Sequence, residues 1–170
     1  MTAVSIELAR RQHLPEIPRI ELAGATMFSE ADLPKSIRYK VTHISYLEAA
    51  LEGKSLWVAL SSEKAVGFAA ASIVDGCGYL DEIDVLPEFG RQGIGTRLVT
   101  TAIDWASAGS YPSLMLITFR HLAWNAPFYE KLGFEIMDPA EHGRELVGLI
   151  EDERRIGINT SNRVVMRRTL

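Results

Sequence analysis

The sequence predicts an α/β domain in which an antiparallel N-terminal meander leads into a parallel step across a helix. Three observations carry this. Leu56–Leu60, Val66–Val74 and Tyr79–Leu86 are apolar runs joined by short turns. A glycine-containing turn follows the third run and feeds a periodic helix over Thr96–Ser107. A further apolar strand, Leu114–Phe119, comes after that helix, and a strand–helix–strand step of this kind crosses over right-handed.

The elements read in order as follows. Val4, Ile6 and Leu8 alternate with polar residues, which gives a short first strand. Ile17, Ile20, Gly24 and Met27 or Phe28 recur at helical spacing, with Pro15 and Pro18 near the start. A second helix or turn crosses Ala31–Tyr39. These two segments either wall a substrate cleft or merely cover the sheet. Ile44, Leu47 and Leu51 mark a helix capped near Thr42 and ended near Gly53. Ser61–Lys64 and Asp75–Gly78 are the hairpin turns of the meander. The central helix carries Ile94, Leu98, Ala102 and Trp105 on one face and stops at Gly109. Past Leu114–Phe119, a short helix begins near Asn125 and Pro127 and stops at Gly133. Phe134–Met137 is a strand. Arg144–Arg155 is an amphipathic helix whose charged end reads as a solvated face. Asn159–Asn162 turns into a last strand, Arg163–Arg168.

The turn Gly90-Arg91-Gln92-Gly93-Ile94-Gly95 is the most informative stretch. A turn at a helix N-terminus presents several free backbone N–H groups to one anion. Two common phosphate motifs are excluded. Thr96 and Arg97 follow Gly95, so the Lys-Ser/Thr ending of a P-loop is missing. The glycine order also reverses that of a dinucleotide fingerprint. The turn is either a phosphate site or simply a tight strand-to-helix connection.

Composition narrows the function. At 170 residues and 47% hydrophobic, the chain suits one domain with a sizeable core. A formal net charge of −4 gives no support to nucleic-acid binding. No apolar run is long enough to span a membrane, and the first twenty residues lack a signal-peptide core, so the expected compartment is the cytoplasm. Cys77 is the single cysteine, and four scattered histidines lack metal-site spacing, so no metal is expected.

The segments VLPEFGRQGIGTRLV (85–99) and WNAPFYEKLGFEI (124–136) together resemble the GCN5-related N-acetyltransferase family. The segment ending RVVMRRTL resembles a bacterial branch in which a helix precedes the final strand. The resemblance spans nearly the whole chain and implies one acetyltransferase domain over residues 1–170. Its fold would be a mixed sheet with a splay between the fourth and fifth strands, flanked by helices. It implies acetyl-CoA as cosubstrate, bound in that splay, and a possible homodimer. Val85 and Leu86 would meet the pantetheine through backbone groups. Arg91, Gln92, Gly93, Ile94, Gly95 and Thr96 match the pyrophosphate turn, Asn125 a residue beside the cofactor, and Tyr129 the tyrosine that protonates the departing thiolate. The family's usual Gln or Arg at the first turn position is replaced by Gly90, with Arg91 next.

The chemistry of amine acetylation assigns further roles. An amine arriving protonated must lose a proton, and the acetyl oxygen needs donors, here backbone N–H groups near Val85 and Leu86. Asn125 and Tyr129 are four apart and share one side of a short helix. Tyr129 acts as acid or packs in the core; Asn125 meets the cofactor, caps the helix, or both. Glu82 and Asp84 are two apart on a strand and face one side. Glu82 is the first choice for a general base and Asp84 the second; the alternative is that one caps a turn or pairs with Arg91 or Arg97. Thr118, Phe119 and Arg120 should border the cleft. His43 and His121 read as local hydrogen-bonding residues. The favoured activity is transfer of the acetyl group of acetyl-CoA to a small-molecule primary amine by direct attack in a ternary complex. A peptide or protein acceptor, or an acyl-CoA-binding regulator without turnover, are the alternatives.

Overall fold

In the computed structural model, which describes residues 3–170, seven strands form one mixed sheet. The strands are β1 (Val4–Leu8), β2 (Leu56–Ser61), β3 (Lys64–Val74), β4 (Cys77–Val85), β5 (Ser113–Phe119), β6 (Glu135–Ile136) and β7 (Arg163–Thr169). Their order across the sheet is β1-β2-β3-β4-β5-β7-β6. All pairings are antiparallel except β4 with β5. The helices are α1 (Ile17–Ala25), α2 (Lys35–Arg38), α3 (Ile44–Glu52), α4 (Ile94–Ala108), α5 (Ala126–Glu130) and α6 (Arg144–Arg155). None is long and apolar enough to cross a membrane.

The meander follows from its turns. Ser62 and Glu63, then Asp75 and Gly76, all take positive φ, the conformation that two-residue hairpins of right-twisted strands require. Of the two readings for Ala31–Tyr39, helix or turn, the structure has a single helical turn, α2. Helix α1 stops at Ala25, so Phe28 lies beyond it. His43, not Thr42, caps α3, its Nδ1 accepting from the Ser45 N–H at 3.3 Å. The last strand does not close an edge. β7 inserts between β5 and β6, and its two faces meet different cores, Val164 and Met166 the main one and Val165 the one under α6, so all three are buried.

Helix α4 lays Ile94, Leu98, Ala102 and Ala106 on the sheet, one residue per turn and each no more than 2% exposed. They join Leu56, Phe68 and Leu116 in the main core. Burying each large side chain of this set contributes roughly 1.5–3 kcal/mol. Arg97 donates from Nη1 to the Val4 carbonyl at 2.7 Å, tying α4 to β1. A second core of Val74, Tyr79, Met115, Met137, Leu146 and Val165 lies under α6. The start of that helix is capped from the β3–β4 turn: the Asp75 carboxylate accepts from the N–H groups of Glu145 (3.0 Å) and Leu146 (2.9 Å).

Candidate active site

The parallel pair opens almost at once. Only Gly78 with Leu114 and Tyr79 with Met115 are in register, and the strands diverge beyond them. β4 also carries a bulge: Ala70 pairs with Glu82 but Ala71 with Leu80, leaving Asp81 as the extra residue. The bulge re-aims the side chains that follow it at the point where the strands part.

The two backbone positions expected to serve the acyl group differ. The Leu86 N–H donates to the Val66 carbonyl at 2.9 Å, and the Leu86 carbonyl accepts from Phe89 at 2.8 Å. Leu86 therefore has no N–H for an acyl oxygen, which corrects that part of the expectation. In an antiparallel ladder alternate residues turn their N–H groups to the partner strand. Val85, opposite Gly67, thus turns its N–H away from β3 and toward the opening before β5.

The turn after β4 is built as a donor cradle. Helix α4 begins at Ile94, two residues before the expected start, with Gly93 at its cap in the left-handed region (φ 77°). Arg91 is left-handed too (φ 57°). Among the described residues the N–H groups of 91–96 have no backbone acceptor; the first that does is Arg97, which donates to the Gly93 carbonyl at 3.1 Å. The side chains of Arg91, Gln92 and Thr96 are exposed, whereas that of Ile94 is core, so Ile94 has only its N–H to offer. Gly95 sits under Phe128; a β-carbon there would meet the ring edge at an ordinary 3.6 Å. Free N–H groups, a positive helix terminus and thin glycine cover fit a pyrophosphate.

A cavity of about 310 Å³ occupies the opening, bordered by Glu82 and Asp84 of β4, Thr118 and Phe119 of β5, Asn125 and Tyr129 around α5. The segment 21–40 supplies a wall through Glu21, Phe28 and Arg38, so it is part of the cleft and not mere cover. Arg120, expected in this cleft, instead lines a separate groove beneath α6, and its N–H donates to Asn162 at 2.8 Å.

The carboxylates are held close together. Burial, then the Glu21 charge, pushes Glu82 up to about 7, partly opposed by Arg163. Burial, then the Glu82 and Glu21 charges, holds Asp84 well above the usual carboxylate range. Glu21 is locked in place because it accepts from the Thr42 N–H at 3.1 Å and from the Thr42 hydroxyl. Neither Glu82 nor Asp84 pairs with Arg91 or Arg97. At the bulge, Asp81 accepts from the Ser72 hydroxyl at 3.0 Å and lies beside Tyr46. Burial raises Asp81, and the neighbouring Tyr46 and Ser72 hydroxyls hold it back.

Tyr129 is buried at the junction of these parts, and burial followed by the Glu82 and Asp84 charges raises its phenol far above the ordinary value. It stays a proton donor at any working pH. The Asn125 side chain does not cap α5. Its Oδ1 accepts from the Thr118 hydroxyl at 2.7 Å, and its carbonyl accepts from the N–H groups of Phe128 and Tyr129. Thr118 and Asn125 together fix the entry to the helix that carries Tyr129.

Several contributors escaped sequence reasoning. Arg163 reaches back from β7, donates from Nε to Glu153 at 2.8 Å and stacks over Phe119 at 4.4 Å. Glu153, taken as part of a solvated helix face, is thus an inward-facing partner. No spacing announces this, because it depends on β7 inserting beside β5. Glu21 was findable: it lies four after Ile17 and three before Gly24, on the apolar face of α1. His121 links to the buried Asp32 at 2.9 Å, a contact across 89 positions of chain and not a local one. Cys77 begins β4 at the closed end of the strand pair.

Residues 22–134 match the sequence model of the acetyltransferase (GNAT) family. The fold is similar to that of N-acetylglutamate synthase from Neisseria gonorrhoeae complexed with coenzyme A and N-acetyl-glutamate (TM-score 0.74, 20% identity), which matches all of this chain and 36% of its own. The chain therefore spans about a third of that protein. It is similar over 99% of both chains to the PaiA N-acetyltransferase from Thermoplasma acidophilum in complex with coenzyme A (TM-score 0.70, 17% identity). The same coverage holds for an acetyltransferase of the GNAT family from Staphylococcus aureus Mu50 (TM-score 0.74, 15% identity). At these identities the structural likeness is one of fold, and the family match over two thirds of the sequence adds the chemistry. The chain belongs to the GNAT family of acetyltransferases.

Proposed function

We propose that the chain acetylates the primary amine of a small molecule by direct attack within a ternary complex. The observation that carries this reading is the convergence of Glu82, Asp84 and Tyr129 on one cavity of about 310 Å³ at the opening between β4 and β5. That volume suits a small amine, and the 21–40 segment walls it.

Bound acetyl-CoA supplies a thioester whose acetyl carbon accepts the amine lone pair and whose sulfur departs. The chain's own residues do the rest. N–H groups of Arg91, Gln92, Gly93, Ile94, Gly95 and Thr96 hold the pyrophosphate, with Asn125 farther along the cofactor. The acidic wall attracts the ammonium form of the acceptor. Glu82, kept basic by burial and the Glu21 charge, takes its proton, directly or through water, while Asp84 holds the amine. The Val85 N–H donates to the acetyl oxygen. Tyr129 delivers its phenolic proton to the sulfur as the carbon–sulfur bond breaks and recovers one from the nitrogen, which sheds its extra proton on becoming the amide; its buried, firmly protonated state favours this role.

The test is release of the CoA thiol from acetyl-CoA by purified protein with a panel of small amines. Amine-dependent release is expected. Acetyl-CoA binding with no transfer to any acceptor would leave a binding module in place of the enzyme proposed.

A further inference from the structure

The cavity wall opposite in chain origin to the acidic strand β4 is cationic. Arg38, the last residue of α2, and Lys40 both line the cavity. Arg38 is half-buried and rigidly held: its Nη2 donates to the Phe28 carbonyl at 2.7 Å and to the Leu33 carbonyl at 3.3 Å. Those two bonds stretch the guanidinium under the 28–33 loop. Its Nε is buried and has no acceptor among the described residues. A buried charged donor without a partner is costly and calls for an explanation.

The acidic cluster does not provide that partner. The cation acting on Glu82 and Tyr129 is Arg163, which is itself held by Glu153. Lys40 makes no ion pair among the described residues. One cavity thus offers both an acidic wall (Glu21, Glu82, Asp84) and an unmatched cationic wall (Arg38, Lys40).

We propose that the acceptor carries a carboxylate as well as its amine, that is, an amino acid, and that Arg38 is the residue that selects for the carboxylate. The amine sits at Glu82 and Asp84, and the carboxylate accepts from the part of the Arg38 guanidinium that borders the cavity, with Lys40 adding charge at the exposed end. A guanidinium already pinned by two carbonyls loses little freedom on binding, so it is well suited to discriminate. This inference rests on the proposed acetyl transfer to a small amine and deepens it.

The experiment compares matched acceptors. Glycine, alanine, glutamate, lysine and phenylalanine are each set against the corresponding carboxamide, with acetyl-CoA and the full chain. At least one amino acid is expected to be acetylated with kcat/KM roughly tenfold or more above its amide. Arg38→Gln should then cut the ratio of kcat/KM for that amino acid to kcat/KM for its amide by about tenfold or more, mainly through KM for the acid. Arg38→Lys should restore part of the loss, because it returns the charge without the planar fork. Equal use of acids and amides by the unaltered protein would overturn the inference while leaving the acetyltransferase reading intact. So would acetylation of other amines with none of the amino acids. An equal loss for acid and amide in Arg38→Gln would also overturn it, since a loop-positioning role moves both. Acetyl-CoA binding without transfer to any acceptor falls on the proposed function itself and takes this inference with it.

Discussion

Gly24 of α1 lies directly against the carboxylate of Asp84, so closely that a β-carbon at position 24 would overlap its Oδ1. Only glycine lets the helix approach β4 this tightly. The same approach brings Glu21, one turn earlier, onto the acidic wall. Gly24→Ala should therefore push Asp84 away and lower kcat/KM for the amine by about tenfold or more, with a stability loss of about 1–3 kcal/mol. Acetyl-CoA affinity, measured by titration, should hold. A parallel fall in cofactor affinity would place Asp84 on the cofactor side of the site.

Glu82 sets a pH dependence with a definite sign. Its folded pKa is raised from 4.5 to about 7, so the folded state binds this proton more tightly than the unfolded chain. Its contribution to stability is complete below pH 4.5 and is lost as pH rises through about 7. Asp84, raised for similar reasons, acts in the same direction. Activity runs the other way, because the base must be ionised: kcat/KM should rise through about pH 7. Glu82→Gln should remove that rising limb, reduce turnover roughly a hundredfold, and stabilise the protein at pH 8 by on the order of 1–3 kcal/mol. Urea titrations at pH 5 and pH 8 beside a pH–rate profile measure both effects.

Tyr129 separates chemistry from binding. Tyr129→Phe keeps the ring contacts with Phe128 and Phe134 and removes only the hydroxyl. Turnover should fall by about ten- to a hundredfold while acetyl-CoA affinity changes less than threefold. Unchanged turnover would remove Tyr129 from the acid role and leave it a packing residue.

The cradle glycines should respond differently. Gly93 has φ 77°, so Gly93→Ala strains the backbone by about 1 kcal/mol and misdirects the N–H groups at the start of α4. Gly95 is within the helix and has ordinary room, so Gly95→Ala should leave the melting temperature nearly unchanged or slightly raised. Both should weaken acetyl-CoA binding, the second through bulk at the cofactor surface alone. Calorimetric binding beside thermal melts distinguishes the two cases.

Most of the fold was legible because its signals are local. The hairpin turns and the period of α4 each depend on a few neighbouring residues, whereas α5 already ends at Glu130, three residues before the expected stop at Gly133. The cradle was legible for the same reason, since a turn and a helix start lie within six residues. What escaped is non-local. The insertion of β7 between β5 and β6 brings Arg163 and Glu153 to the site, and no periodicity encodes strand order. The commitment of the Leu86 N–H to Val66 depends on register, and a bulge at Asp81 shifts that register. Helix α2 is a single turn because Pro34 bars its N-terminal extension and Tyr39 leaves the helical region. That Arg38 at its end walls the cleft, one of the two readings open for this segment, is decided by tertiary packing and not by spacing.

The most direct measurement is CoA-thiol release by the purified protein with acetyl-CoA, small primary amines and short peptides assayed side by side. The account predicts amine-dependent release with one or more small amines, rising through about pH 7 and losing that rise in Glu82→Gln. Release driven by peptides alone would contradict it.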